Sequence, residues 1–184
     1  GMMQKMDGQL NRLTSLIRDL LDVTKINSDK LVLNEEEFEL EPMIKVLVED
    51  LQRTTRYHTL IEDINTPGKV YADKDRIEQV IINLITNAIK YSPTSEQIII
   101  HCDQTEKEII VCVEDFGVGI GKENQQKVFE QFFRVSGDMQ HTFPGMGLGL
   151  FISAEIIQRA GGKIWVESAE GQGSRFYFSL PLQQ

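Results

Sequence analysis

Asn83 and Asn87 stand four residues apart in an apolar stretch, NLITNAIKYS, with Lys90 and Tyr91 one turn further on. Asparagine is a mediocre helix former, and its amide is costly to bury without a hydrogen-bond partner. Two on one helical face therefore point to something polar bound beside the core. Two other stretches share that character. DFGVGI, residues 115–120, follows a strand-like run, and its glycines let backbone approach a ligand closely. GMGLGL, residues 145–150, is a glycine-rich loop that runs into a helix, whose free N–H groups suit phosphate oxygens. It is not a P-loop, because no Lys-Ser/Thr follows the last glycine, and no βαβ unit begins there to make it a dinucleotide fingerprint.

The elements that must position these residues are legible from periodicity. On a wheel of about 100° per residue, Ile77, Val80, Ile81, Leu84, Ile85 and Ala88 fill one broad arc. Gln79, Asn83, Asn87 and Lys90 form a narrow polar stripe on its border. Asp73 is placed to cap this helix, and Ser92-Pro93 to end it after Tyr91. Upstream, Pro42 is expected to open a helix with Ile44, Leu47, Val48 and Leu51 as its apolar face. Strand-like runs occupy 31–33, 37–40, 59–64, 69–72, 97–102, 108–114, 163–168 and 174–180, with a turn at 66–68. A short helix is expected over 122–129 and a longer one over 148–160, stopped by Gly161-Gly162. Between them, 132–147 loses periodicity, as functional or mobile loops do. Residues 3–27 carry an a/d ladder of Met3, Met6, Leu10, Leu13, Ile17, Leu20, Thr24 and Asn27, widened on one flank by Leu16 and Val23. That helix calls for a partner helix, either from outside this chain or from a second copy.

Composition narrows the function classes. A net charge of −9 counts against general nucleic-acid binding, and no apolar run approaches the ~20 residues of a membrane span. Cys102 and Cys112 fit neither a zinc site nor a redox pair, and read as buried free thiols. His58, His101 and His141 do not cluster.

In their order and spacing, the asparagine helix, DFGVGI and GMGLGL resemble the N, G1 and G2 boxes of the GHKL ATP-binding superfamily. That group includes histidine kinases, type II topoisomerases, a heat-shock chaperone and mismatch-repair ATPases. The likeness to sensor histidine kinases is closer. FEQFFRV (129–135) resembles their F box, and GSRFYFSLP (173–181) their last strand. RLTSLIRDLLDVTKINSDKLVL (12–33) is similar to the second helix of their dimerisation domain with its linker. The implied fold is α+β, a two-layer sandwich of the Bergerat type with a mixed sheet, helices on one face and a single preceding helix. Residues 1–30 would then belong to the dimerisation helix, and 31–184 to the catalytic domain.

The resemblance also implies roles. Asn87 would give its amide oxygen to Mg²⁺, and Asn83 would lie by the phosphates and metal-bound water. Lys90 would face phosphate, and Tyr91 would pack on adenine. Asp115 would accept the adenine amino group, with Gly117, Gly119 and Ile120 beside the base. Gly145, Gly147, Leu148 and Gly149 would meet the phosphates through their backbone, and Arg134 would face the γ-phosphate. Ser174 would support the adenine site through water, while Phe132 and Phe133 would pack the lid. ATP and Mg²⁺ are the implied cofactors. Asn83, Lys90 and Arg134 are the implied catalytic set.

Two departures sharpen this reading. ATP-hydrolysing members carry a glutamate one turn before the Mg²⁺ asparagine, where this chain has Asn83, which cannot act as a base at neutral pH. And none of the three histidines has the phosphoacceptor context of the family. The expectation is therefore γ-phosphoryl transfer to a histidine on a dimerisation domain, for relay to a response regulator, with the acceptor helix missing from this chain. The implied parent is a homodimeric, membrane-anchored bacterial sensor with this domain in the cytoplasm. The alternatives are an ATPase or serine kinase of the same superfamily, or a non-catalytic ATP-sensing module.

Overall fold

The computed structural model describes residues 2–65, 68–134 and 146–182, with side chains from residue 13 onward. Its elements are α1 (Met2–Asn27), β1 (Glu36–Glu39), α2 (Leu40–Gln52), β2 (Thr59–Asn65), β3 (Lys69–Ala72), α3 (Lys74–Tyr91), β4 (Gln97–Gln104), β5 (Glu108–Asp115), α4 (Gly149–Arg159), β6 (Lys163–Ala169) and β7 (Gly173–Pro181). The five-stranded sheet has the order β2-β4-β5-β7-β6. β2 and β4 are parallel and the other pairings antiparallel, so the sheet is mixed. β1 and β3 form a separate antiparallel pair.

The sheet obeys the period of two. Ile98, Ile100 and Cys102 on β4, Ile109, Val111 and Val113 on β5, and Phe176, Phe178 and Leu180 on β7 all face the buried side. The helices cover that side, and one core runs between the two layers. Asp115 is the next inward position of β5, which brings a carboxylate to the edge of the core. On the helix layer, the six apolar residues read from the wheel of α3 are each at most 4% exposed. Asp73 caps α3 by accepting from the Arg76 N–H (3.1 Å), and its other oxygen accepts from the Asn34 N–H (2.8 Å). One side chain thus starts the central helix and anchors the segment that follows α1.

Three local expectations change. α2 begins at Leu40, so Pro42 is its third residue; that position is still in the first turn, where an N–H has no intrahelical acceptor. Residues 31–33 do not join a sheet. Leu31 is buried and its carbonyl accepts from Arg159 Nη1 (3.3 Å), so its apolar character serves docking instead. Residues 122–129 give only a 3-10 turn, Lys127–Phe129. Closure there alternates between the Asn124 N–H on the Gly121 carbonyl and the Val128 N–H on the Asn124 carbonyl, without a continuous ladder. Of the turn expected at 66–68, Thr66 and Pro67 lie outside the described residues.

α1 has two faces. Asp22, Val23 and Ile26 are buried against the domain, while Leu13, Ile17 and Leu20 of the a/d ladder are more than half exposed. Docking is fixed by charge as well as by apolar contact. Asp22 Oδ2 accepts from Arg76 Nη1 (2.7 Å) and from Gln79 Nε2 (3.0 Å). Arg159 Nη2 pairs with Asp29 at the end of the helix (3.0 Å). Among the described residues, no helix is long and apolar enough to cross a membrane.

Removing one partner from a buried ion pair strands the other charge. Arg76→Ala should therefore destabilise the chain by about 3 kcal/mol in urea unfolding. The Asp22→Ala/Arg76→Ala double variant should lose less than Arg76→Ala alone; an additive loss would show that the pair is not coupled.

Candidate functional site

A cavity of about 360 Å³ opens between α3, the loop after β5, the chain on either side of 135–145, and β7. From α3 it is lined by Asn83, Asn87, Lys90 and Tyr91, and from β5 and its loop by Asp115, Gly119 and Ile120. Arg134, Gly147, Leu148, Gly149 and Ser174 complete the set expected from sequence. Gly145 and His141 lie outside the described residues. Gly117 is the exception. It does not line the cavity but packs under it, where a Cβ would collide with the Tyr91 carbonyl and Ser92. Its lack of a side chain serves the contact of loop with helix, sealed by the Val118 N–H on the Tyr91 carbonyl (3.1 Å).

The two ends of the cavity differ in chemistry. At one end Asp115 is 4% exposed, and its Oδ1 accepts from the Gly117 N–H (2.8 Å). Burial pushes this carboxyl up to about 6, against the opposing pull of backbone N–H bonds from Gly117 and Ser174. Ser174 Oγ pairs with Ser168 Oγ (3.0 Å), which accepts from the Ile120 N–H (2.8 Å) and donates to the Gly173 carbonyl (2.7 Å). Val128, Phe133, Leu148 and Phe176 supply apolar walls. A flat heterocycle bearing an amino group suits this end: apolar faces for the ring, and a buried acceptor for the N–H.

The other end is polar. Lys90 Nζ sits 4.6 Å from the centre of the Tyr91 ring, a cation held at the rim by an aromatic face. The first turn of α4 carries no side-chain cap, and Leu148, Gly149 and Leu150 bring its N-terminus to the cavity. That terminus and Lys90 suit anionic oxygens. Of the two phenylalanines expected to pack the lid, Phe133 packs against the hydrophobic core and lines the cavity, whereas Phe132 is 58% exposed; the Phe132 N–H donates to the Gly147 carbonyl (3.1 Å), joining the chain on either side of 135–145.

Sequence reasoning missed several residues here. Ser15, Leu16 and Asp19 of α1 line the cavity, as do Thr86 and Phe176. Burial raises the Asp19 carboxyl, with Asp22 adding and Arg18 opposing. Ser168, behind Ser174, is the hub of the loop contacts. Contacts so distant in sequence leave no periodic signal. The family resemblance pointed to Ser174 at this end of the site but not to Ser168, which holds the loop through the Ile120 N–H.

The histidines with described positions serve structure. His58 Nε2 meets the Ser92 carbonyl (2.8 Å), and His101 lies between Asp63 (2.9 Å) and Glu114 (3.0 Å) on the sheet. Neither lines the cavity. The two cysteines are free and buried, with burial pushing both thiols up to about 12, which leaves them inert.

Known proteins resemble this chain in sequence and in fold. The profile of the histidine kinase-, DNA gyrase B-, and HSP90-like ATPase family matches residues 72–184. The chain belongs to that family. It is 35% identical over 182 residues to the sensor histidine kinase WalK of Bacillus subtilis, covering 96% of this chain and 30% of the relative. The chain thus spans about a third of that relative's length. The catalytic domain of histidine kinase ThkA superposes with a TM-score of 0.67 at 34% identity, over 80% of this chain and 97% of that one. Histidine kinase AdeS of Acinetobacter baumannii gives a TM-score of 0.78 at 26% identity, over 99% and 84%. This is a nucleotide-binding catalytic domain of the sensor histidine kinase type, with the α+β architecture expected.

Asp115 makes a testable contribution to stability. Its carboxyl ionises less readily folded than unfolded, so its charge opposes folding. That cost is absent below about pH 4, grows between about 4 and 6, and is complete above. Asp115→Asn should therefore gain stability relative to the parent chain across that window. Parallel urea-unfolding pH profiles would refute the burial effect.

Proposed function

We propose that the domain binds Mg-ATP and transfers its γ-phosphoryl group to a histidine on a dimerisation domain, for relay to a response regulator. The observation that carries this reading is convergence: an amide pair, a buried carboxylate, a helix N-terminus and two cations from four chain segments line one cavity. In this reading Asp115 accepts the adenine amino group, and Tyr91 and Ile120 flank the base. Gly119 and Ser174 shape that end, with Gly117 supporting it from below. Gly145, Gly147, Leu148 and Gly149 offer backbone N–H groups to the phosphates.

The donor chemistry fits Mg²⁺. Asn87 and Asn83 both line the cavity with amide side chains, and this hard cation takes only a few protein oxygens beside phosphates and water. Asn87 is the assigned ligand, with Asn83 next to it. Bound there, Mg²⁺ would neutralise phosphate charge and orient the γ-phosphoryl group. Lys90 and Arg134 add positive charge on either side, so the protein contributes positioning and electrostatics. Asn83 offers no carboxylate to activate water, which favours transfer over hydrolysis.

The acceptor comes from elsewhere in this reading, since His58 and His101 are both tied into the fold. A groove of about 950 Å³ between α1 and α3 shares Asn83, Thr86 and Gly149 with the nucleotide cavity, and would admit an acceptor helix to its phosphate end. The exposed Leu13, Ile17 and Leu20 stripe supports α1 as part of a dimerisation bundle, with residues 1–30 assigned to it and 31–184 to catalysis. The parent would be a homodimer, with this domain in the cytoplasm of a membrane-anchored sensor.

With labelled Mg-ATP, a separately supplied acceptor domain should gain acid-labile, alkali-stable phosphate, and this chain alone should gain none on histidine. Rapid phosphate release without label would mark an ATPase, and binding with neither a sensor. Asn87→Ala should weaken Mg²⁺-dependent nucleotide binding by at least about tenfold with its unfolding midpoint retained; unchanged affinity would sink the metal assignment.

A further inference from the structure

Asn83 is held by a residue that does not touch the cavity. Its Nδ2 donates to Ser153 Oγ at 3.0 Å, across the interface of α3 and α4. Ser153 is 2% exposed and lines the groove between α1 and α3 rather than the nucleotide cavity. Gly149, one turn earlier on the same face of α4, completes the clasp. A Cβ there would collide with Asn83 Oδ1, so any other residue would push the amide out of its present place. The two residues grip opposite ends of one amide: Ser153 takes the nitrogen, and Gly149 vacates the space for the oxygen.

An asparagine amide carries its acceptor oxygen and its donor nitrogen on one rotatable plane, so where that plane is held decides what either atom can reach. A divalent cation or the water bound to it needs the acceptor. We infer that Ser153 is a positioning residue, tethering the Asn83 side chain so that its amide stays at the metal-binding end of the site. This inference rests on the Mg-nucleotide reading above and adds a residue that touches neither metal nor nucleotide.

Without the Ser153 hydroxyl, the amide loses its tether and the side chain gains freedom to leave the metal-binding end. The metal-dependent part of nucleotide affinity should then fall, while contacts at the adenine end stay. The nucleotide probe is a non-hydrolysable ATP analogue, titrated calorimetrically into the whole chain in excess EDTA and again in saturating Mg²⁺. The ratio of the two Kd values isolates the metal contribution. Ser153→Ala should cut that ratio by about tenfold, the scale of an outer-shell partner, with the EDTA value unchanged. Alanine is the better helix former, so α4 is retained. In an Asn83→Ala background, Ser153→Ala should have no further effect. A ratio equal to the parent's, an equal loss in both backgrounds, or parallel loss of EDTA-state affinity would each overturn the inference. A parent chain whose affinity ignores Mg²⁺ would overturn the underlying reading as well, so the two failures are distinguishable.

Discussion

The site depends on the rotation of α3 about its own axis. Ile77, Val80, Ile81, Leu84, Ile85 and Ala88 are buried on one side, and each large aliphatic side chain buried contributes about 1.5–3 kcal/mol. Turning the helix by one residue, about 100°, would carry several of them into water. Hydrophobic packing therefore fixes the direction of Asn83, Asn87 and Lys90, which sit on the border of the buried arc. No ligand is needed to aim them. Asp73 fixes where the helix starts, and the packing of Gly117 beneath Tyr91 fixes where its last turn meets the loop after β5.

The sheet supplies the complementary constraint. Alternation along β5 makes Asp115 an inward residue at the point where the strand leaves the core. The burial that makes its charge costly also makes the carboxylate a strong, directional acceptor. A ligand N–H arriving there stabilises the charged form that the apolar surroundings disfavour. The cost to the fold and the capacity to discriminate between ligands thus have one cause. Ser168 and Ser174 hold the neighbouring backbone still, so that this acceptor keeps its direction.

What was legible in the sequence follows from range. Helical period gave the buried arc of α3, residue for residue. The capping chemistry of Asp73 and the stop at Gly161-Gly162 depend on near neighbours and emerged intact. The strand-like look of 31–33 misled because a buried apolar linker and a strand have the same composition. The turn at 122–129 misled because period alone does not show whether hydrogen bonds close in a continuous ladder. Ser153, Ser168 and Asp19 were silent, since Ser153 meets Asn83 and Ser168 meets Ile120 from distant segments, Asp19 reaches the cavity from another helix, and no local pattern encodes such a contact. Asn83 could be placed from sequence, but its tether could not, because that is a serine seventy residues further on.

α1 joins both aspects of the molecule. Its inner face is bound to α3 through Asp22, Arg76 and Gln79, and its outer apolar stripe stays uncovered. Between the two, Ser15, Leu16 and Asp19 form part of the wall of the nucleotide cavity. That placement has a thermodynamic consequence. Whatever free energy a nucleotide gains or loses against those three residues is also the free energy by which it shifts the docking of α1, because linkage is reciprocal. Asp19 carries a carboxyl already raised by burial and by Asp22, so further negative charge nearby works against the docked helix. A partner covering Leu13, Ile17 and Leu20 acts on the same helix from the opposite side. The cavity and the outer stripe are thus two sites that bear on a single rigid element.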